Sequence, residues 1–210
     1  PREQVGPLRV ALEAVLHADV LQVLELAVEA GELHVQDAVL FDPMTGRMRQ
    51  ASVEDGQVWI ALRSGESVIM QTYNQPVVLE SFDEPIAEGT PFTVGSQWTL
   101  SFSADTNSEA LDATYALDAP IAWEQLGTAP ASLMGTGTYR TTFTLSRRQL
   151  DMGNAGFRLL LGDVRESARV YINGEMAGCA WAAPFAVDAT GLLREGENEL
   201  SIEVTNLPAN

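Results

Sequence analysis

The stretch FRLLLGDVRESARVYINGEMAGCAWAAPFAVDATGLLREGENELSIEVTN, residues 157–206, decides the fold. Residues 168–172, ARVYI, alternate apolar and polar side chains, which is typical of a β-strand with one buried face. The strand stops at Asn173-Gly174, a dipeptide that favours a two-residue hairpin because both residues accept positive φ. Residues 200–204, LSIEV, alternate in the same way after a turn at residues 196–198. The stretch therefore predicts an antiparallel sheet with one buried face.

Two further alternating strands precede this stretch. QWTLSFSA, residues 97–104, places Trp98, Leu100 and Phe102 on one face, and GTGTYRTTFTL, residues 135–145, does the same with every second residue from 139 to 145. Short strands separated by Gly, Asp and Asn turns indicate a β-sandwich or jelly roll. We expect these strands to belong to the same domain as residues 157–206.

The first third of the chain predicts a smaller β-rich unit. HVQDAVLFDPMTGR, residues 34–47, reads as a strand that enters a turn opened by Asp42-Pro43 and closed by Gly46. The strands QVWIALR, residues 57–63, and SVIMQTY, residues 67–73, are separated by Ser-Gly-Glu, a short connection typical of a hairpin.

Proline and acidic residues after Tyr73 indicate a boundary between domains. We predict a β-rich domain over residues 1–75, a linker over 76–92 and a jelly-roll domain over 93–210. Residues 1–30 fit both an amphipathic helix and β-strands, because periodicity does not separate short apolar runs. The residues alone leave that choice open.

Composition excludes several classes of partner. The 210 residues carry a formal net charge of −17, which disfavours nucleic acid and anionic membranes, and no apolar run is long enough to span a bilayer. The hydrophobic content of 46% is enough for a large core. Cys179 is the single cysteine, so no disulfide forms within the chain, and we predict that it is a small buried apolar residue.

Several segments together resemble a known family. WTLSF, AWEQL, GTGTYRTTFTL, LLLGDVRESARVYINGEMAGCAWAAPF and GLLREGENELSIEVTNLPAN are similar to the galactose-binding-like jelly roll of large glycoside hydrolases. The resemblance is strongest to the C-terminal module of the α-L-rhamnosidases of glycoside hydrolase family 106. AVLFDPMTGR and VWIALRSGESVIMQTY resemble the β-domain that follows the catalytic barrel in those enzymes. A related pattern occurs in the β-galactosidase and β-glucuronidase family, family 2, which is the alternative.

The resemblance carries expectations about fold and function. It favours strands over residues 1–30 and implies that the chain is part of a longer, secreted or periplasmic protein. It implies inverting hydrolysis of α-L-rhamnosides by two carboxyl groups of a barrel domain, which has no counterpart here. We therefore expect a non-catalytic region that binds a rhamnose-containing glycan or supports the catalytic domain of the parent chain. A purely structural or assembly module is the alternative from another class.

Other chemistries find little support in the sequence. His17 and His34 do not make a histidine-based metal site by themselves, and the phosphate-binding and nucleophile motifs are missing. We expect no required cofactor. Asp105, Asn107 and Glu109 alternate oxygen side chains in a loop and are candidate ligands of a structural calcium ion. A solvated acidic loop is the alternative interpretation.

Aromatic residues are the candidates for sugar binding, since their rings can stack on a pyranose while polar neighbours bond its hydroxyls. Trp181, Trp123 and Tyr139 are these candidates, and Arg140 is the candidate polar neighbour. The alternative is that Trp123 and Tyr139 fill the core of the sandwich. Trp181 follows GEMAGCA in a loop, where a sugar, the barrel domain or ordinary packing could each account for it.

Overall fold

The computed structural model describes residues 11–15, 36–54, 57–60, 62, 67–79, 91–104, 109–152, 156–164 and 166–206. These residues form short strands joined by turns, with four one- or two-turn helices among them. All of the strand pairs among these residues are antiparallel. The predicted all-β fold is confirmed. None of the described helices has the length and apolar character that crossing a membrane requires.

The elements take the following bounds in chain order. The short helices are 3₁₀-turns at Glu109–Asp112 and Trp123–Leu126, α1 (Thr128–Ala131) and α2 (Arg147–Met152). The strands are β1 (Ala11–Val15), β2 (Asp37–Phe41), β3 (Met48–Gln50), β4 (Ser52–Glu54), β5 (Gln57–Trp59), β6 (Ile69–Tyr73), β7 (Pro91–Thr93), β8 (Trp98–Ser103), β9 (Thr114–Leu117), β10 (Thr136–Leu145), β11 (Gly156–Gly162), β12 (Ser167–Ile172), β13 (Glu175–Ala180), β14 (Phe185–Asp188) and β15 (Gly196–Thr205).

The chain divides into two compact units. The larger unit contains residues 1–17 and 88–210, and the smaller unit contains residues 18–87. This grouping differs from the predicted one, because β1 pairs with β11 and β7 of the larger unit. β1 is also the part of residues 1–30 that the structure describes as a strand. The remainder of that segment lies outside the described residues.

The larger unit is a two-sheet sandwich. Its six-stranded sheet has the order β13-β12-β15-β10-β8-β9, and its four-stranded sheet has the order β14-β11-β1-β7. Alternate residues of the strands meet in one core between the sheets, as Leu100 and Leu200 do from one sheet and Leu159 from the other. Each of these side chains is at most 1% exposed. The predicted inward faces of β8 and β10 are confirmed.

The hairpin predicted at Asn173-Gly174 is confirmed. Asn173 has φ of 52° and Gly174 has φ of 84°, and the two residues connect the antiparallel strands β12 and β13. Positive φ at both central positions is what a type I′ turn requires. The last strand, β15, is longer than the sequence predicts, because its pairing with β10 continues from Gly196 to Thr205.

The environment predicted for Cys179 is wrong. Cys179 is exposed, because β13 is the edge strand of its sheet and Cys179 lies opposite Arg169, whose side chain points outward. Ala180, the next residue along the strand, is the one that enters the core. Strict alternation along β13 does not predict this, because the pairing of β13 with β12 shifts register. Val170 lies opposite Gly178, whereas the next residue, Tyr171, lies opposite Met176.

In the smaller unit, the predicted hairpin between residues 57–63 and 67–73 is also wrong. β6 pairs with β2, whereas β5 pairs with β4 in a separate two-stranded sheet. The five-residue β2 offers β6 a longer partner than the three-residue β5. The core of this unit contains Ala38, Leu40, Ala51, Val58 and Ile60.

The turn predicted at residues 42–46 is confirmed. The Asp42 carboxylate accepts hydrogen bonds from the Met44 N–H at 2.8 Å and from the Thr45 hydroxyl at 2.6 Å. The Gly46 N–H donates to the Asp42 carbonyl at 2.9 Å, and Gly46 has φ of 73°. This turn connects β2 to β3.

Asp37 ties three segments of the smaller unit together. It is 6% exposed, and one carboxylate oxygen accepts from the Gln50 side-chain amide at 2.7 Å and from the Val77 N–H at 2.9 Å. The other oxygen accepts from the Ala38 N–H at 2.9 Å. The Val77 N–H, helped by Gln50 and Ala38 and opposed by burial, lowers the pKa of Asp37 below its usual value of 3.8.

We expect the Asp37→Asn substitution to lower the melting temperature at pH 7, because an amide must turn its NH₂ group toward one of these donors. A depressed carboxyl pKa stabilises the fold fully above the unfolded value, and this contribution is lost as the pH falls through the lowered pKa. The difference in melting temperature between wild type and variant should therefore shrink below about pH 4. Thermal unfolding of both proteins from pH 3 to pH 7 measures this difference. Asp112→Asn, at an exposed aspartate, is the control. An unchanged difference at every pH would contradict the assignment.

Candidate functional site

The outward face of the six-stranded sheet carries an open groove of about 600 Å³. Four adjacent strands, β15, β10, β8 and β9, contribute to it. Its polar lining is formed by Gln97, Thr99, Asp118, Arg140, Thr142 and Glu199.

Strand alternation explains why this groove is polar. On β10, Tyr139 and Thr141 are buried in the sandwich, so Arg140 and Thr142 point outward into solvent. On β8 the buried Trp98 and Leu100 likewise leave Thr99 facing outward. Threonine suits these positions because a β-branched side chain fits the pleated strand while its hydroxyl stays available for hydrogen bonds.

Arg140 lies near the middle of the groove. It is opposite Thr99 of β8 on one side and Ser201 of β15 on the other. One of its guanidinium nitrogens donates to the Ser101 hydroxyl at 3.3 Å. Within the described ranges, no carboxylate lies within ion-pair distance of this guanidinium. Arg140 therefore presents a cation with most of its five N–H donors available to a ligand.

A second row of polar side chains crosses the groove beside Arg140. Glu199 pairs in register with Thr142, and continuation of the β10–β8 and β8–β9 registers brings Gln97 and Asp118 onto the same line. The Thr141 hydroxyl donates to the Gln97 carbonyl at 2.6 Å, which holds the start of β8 against β10. The row offers carboxylate acceptors at its two ends with hydroxyl and amide groups between them.

This combination of groups suits a ligand that carries many hydroxyls. Such a ligand can donate to Glu199 and Asp118, accept from Arg140, and do both with Thr99 and Thr142. Trp98, the aromatic residue of the lining, is 2% exposed and faces the core. Binding in the groove would therefore depend on hydrogen bonds and not on ring stacking.

Tyr139 lies in the core of the sandwich. It is 3% exposed, and its hydroxyl donates to the Ile121 carbonyl at 2.7 Å. Burial raises the pKa of the Tyr139 hydroxyl. This is the core placement that the sequence offered as the alternative, and it leaves no ring face available to a sugar.

Trp123 packs across the sheet interior and is half-buried. Its ring meets the Phe102 ring edge to face, with 5.3 Å between centroids and 78° between planes. It also lies over Gly137, where a Cβ atom would come within 2.6 Å of Trp123 Cε3. These contacts give Trp123 a packing role.

Trp181 is the candidate aromatic residue that reaches solvent. It follows β13 directly and is 54% exposed. It lies outside the groove lining, so the structure does not bring it together with Arg140. Of the four predicted sugar-binding residues, Arg140 and Trp181 are thus accessible to solvent, and only Arg140 lines the groove.

The predicted calcium ligands are only partly described. Asp105 and Asn107 lie outside the described residues, and Glu109 begins a 3₁₀-turn. Over the ranges that the structure describes, no three His, Cys, Asp or Glu side chains are grouped as a metal site would need. The calcium site stays a prediction.

Sequence reasoning identified Arg140 but missed the groove around it. Gln97, Asp118, Thr142 and Glu199 come from four different strands or their ends. The sequence shows only that each of these residues lies at an outward-facing position of an alternating strand or of its continuation. Which outward-facing residues lie next to one another follows only when the pairing register between the strands is known.

Comparison with known proteins finds similarity to parts of glycoside hydrolases. No protein-family model matches the sequence. The sequence is 30% identical over 184 residues to the "Putative beta-glucuronidase" of Formosa agariphila, and the match covers 83% of this chain and 15% of that protein. The chain is related to part of a glycoside hydrolase.

One solved structure shares the fold of this chain. The rhamnosidase from Novosphingobium sp. PP1Y matches with a TM-score of 0.60 and 22% identity, over 82% of this chain and 16% of that one. A beta-glucuronidase from an uncultured Clostridium sp. matches with a TM-score of 0.44 and 21% identity, over 54% of this chain and 22% of that one. The similarity to this beta-glucuronidase structure is too distant to support an inference. This glycoside-hydrolase-related chain spans about one sixth of the length of the rhamnosidase.

Proposed function

We propose that this chain is a non-catalytic accessory region of a secreted or periplasmic, α-L-rhamnosidase-like glycoside hydrolase that acts on rhamnose-containing glycans. Its role in this proposal is to bind carbohydrate in the groove around Arg140. The observation that carries the proposal is an exposed guanidinium without a carboxylate partner in the described structure, surrounded by hydroxyl side chains. The shared fold with a rhamnosidase supports the choice of parent enzyme.

The groove offers complementary partners for a sugar. Arg140 is a donor with a fixed planar geometry, so it can bond two oxygens of one ring at once. Glu199 and Asp118 can accept hydrogen bonds from sugar hydroxyls. The hydroxyl groups of Thr99 and Thr142 can rotate and either donate or accept. Groups of this kind give orientation and specificity in concave sites.

The same geometry argues against hydrolysis in the groove. Glu199 on β15 and Asp118 after β9 are separated by three strand spacings, which places their backbones about 14 Å apart. Paired carboxyl groups of inverting glycosidases are about 6.5–9.5 Å apart, and those of retaining enzymes are closer. The wide backbone separation of these two residues favours a binding role for the groove over paired acid–base chemistry.

We expect the Arg140→Gln substitution to weaken glycan binding about tenfold to a hundredfold, because a hydrogen bond from a charged donor is worth about 1.5–3 kcal/mol. Glycan-array screening of the chain identifies the ligand, and calorimetric titration of wild type and variant measures the change. Arg148→Gln, at an exposed arginine on α2 outside the groove lining, is the matched control. Equal affinity of wild type and Arg140→Gln would contradict the assignment of the groove.

A structural module that supports the catalytic domain is the second candidate. One observation favours it: the smaller unit exposes an apolar row in which Met48 and Ile69, 51% and 58% exposed, lie on either side of Phe41. Such a row is typical of a surface that another domain covers. A silent glycan array would favour this candidate over carbohydrate binding.

A further inference from the structure

The outward face of the six-stranded sheet continues from the groove to the edge strand β13. In one cross-strand row, Arg140 of β10 is followed by Ser201 of β15, Tyr171 of β12 and Met176 of β13. Strand registers therefore connect the groove with the far edge of the same face.

A parallel row lies one outward position farther along the sheet. It runs from Thr138 of β10 through Glu203 and Arg169 to Cys179 of β13. The last member of this face is Trp181, which follows the fully buried Ala180 and is 54% exposed. Trp181 lies one residue beyond the end of β13, and continuing the alternation of Cys179 and Ala180 by one position assigns it to the outward side.

The spacing of the sheet gives the distance along this path. Three strand spacings separate β10 from β13, and Trp181 lies five residues after Met176 of the Arg140 row, one of which is taken up by the register shift of β13. Together these steps place Arg140 and Trp181 about 20 Å apart on one face. A disaccharide is too short to reach both residues, whereas a hexasaccharide can.

The charges of the path suit an uncharged occupant. Arg169 and Glu203 lie 3.2 Å apart as an ion pair, so they neutralise each other. The other outward positions between the groove and Trp181 are largely hydroxyl side chains, such as Thr138 and Ser201. In the groove the Arg140 guanidinium lies among the carboxylates Glu199 and Asp118, so a ligand with charge of one sign meets repulsion there, and the net charge of −17 further disfavours an anionic ligand. A neutral polyhydroxy chain meets neither penalty.

From these observations, and resting on the proposed carbohydrate binding, we infer that this face holds one extended neutral oligosaccharide. Arg140 binds one end in the groove, and the Trp181 ring stacks on a pyranose at the other end. The hydroxyl side chains between them bond the intervening sugars directly or through water. The site therefore selects for chain length, which the groove alone does not do.

The test compares disaccharides and hexasaccharides of the same neutral sugar and linkage by calorimetric titration, with rhamnose oligosaccharides first and the hits of the glycan array next. We expect the hexasaccharide to bind about tenfold tighter than the disaccharide, and Trp181→Ala to remove most of that difference. Trp181→Phe should retain most of the hexasaccharide affinity, because an aromatic ring remains to stack on the sugar. Met152→Ala, at an exposed apolar residue on α2, is the control.

The possible failures separate the two proposals. Equal affinity for both lengths, or a hexasaccharide affinity insensitive to Trp181→Ala, would overturn the extended site and leave the groove intact. Binding that depends on Trp181 but not on Arg140 would overturn the two-ended arrangement. Absence of binding for every neutral oligosaccharide at either length would overturn carbohydrate binding itself.

Discussion

Replacing Asn198 with alanine is expected to lower the free energy of unfolding of the larger unit by about 3 kcal/mol. Asn198 is 0% exposed, and its side chain makes four hydrogen bonds. Its oxygen accepts from the Arg194 N–H and from the Asn173 side chain, each at 2.9 Å. Its nitrogen donates to the Arg194 carbonyl at 2.8 Å and the Gly196 carbonyl at 3.1 Å. Alanine leaves these buried partners without replacements.

The effect should extend to the neighbouring hairpin. Asn173 also donates to the Leu192 carbonyl at 2.9 Å and accepts from the Glu199 N–H at 3.1 Å, so the two asparagines connect the turn before β15 to the β12–β13 hairpin. Thermal unfolding should show a melting temperature about 10 °C lower. Exposed Glu195→Ala in the same turn is the control and should change stability by less than about 0.5 kcal/mol. A loss for Asn198→Ala no larger than the control would show that water replaces the network.

The Gly137→Ala substitution is expected to destabilise the larger unit by about 2–3 kcal/mol, because it adds a methyl group to a packed core. The new Cβ would lie within 2.6 Å of Trp123 Cε3 and 3.2 Å of Leu100 Cδ1. Gly137 pairs with Val204 and Phe102 in the middle of the sheet, so the backbone has little freedom to move away. The Trp123 ring must shift instead and give up its edge-to-face contact with Phe102.

A double-mutant cycle measures this coupling. In a Trp123→Ala background the added methyl group has space, so Gly137→Ala should cost at least about 1 kcal/mol less than it does in the wild type. Denaturant unfolding of the four proteins gives the coupling energy, and outward-facing Thr144→Ala on the same strand is the control. Additive costs would show that the methyl group is accommodated elsewhere.

Local pattern was enough to predict much of the larger unit. The alternation in β8, β10, β12 and β15 predicts their inward faces, because a strand places successive side chains on opposite sides whatever its partners are. The turn at Asn173-Gly174 was also predictable, since its φ values depend on two adjacent residues. These features need no knowledge of which strands pair.

Pairing between distant strands accounts for what could not be predicted. The hairpin expected between β5 and β6 does not form, because each pairs with a strand earlier in the chain. The groove depends on the order β15-β10-β8-β9, which brings Glu199 and Asp118 to one surface from positions that are 81 residues apart in the sequence. Arg140 was predictable as a polar group near aromatic residues. Its actual surroundings, hydroxyls and carboxylates from other strands, were not.

The position of β1 has a consequence for how this chain can be rearranged. β1 and β7 are antiparallel neighbours, with Glu13 opposite Pro91, although residues 18–87 separate them in the sequence. The end of β1 and the start of β7 therefore lie side by side in one sheet. A short loop from residue 17 to residue 88 would turn β1 and β7 into an ordinary hairpin. The smaller unit is thus inserted between two neighbouring strands, and we expect that its deletion or replacement would leave every strand of the sandwich intact.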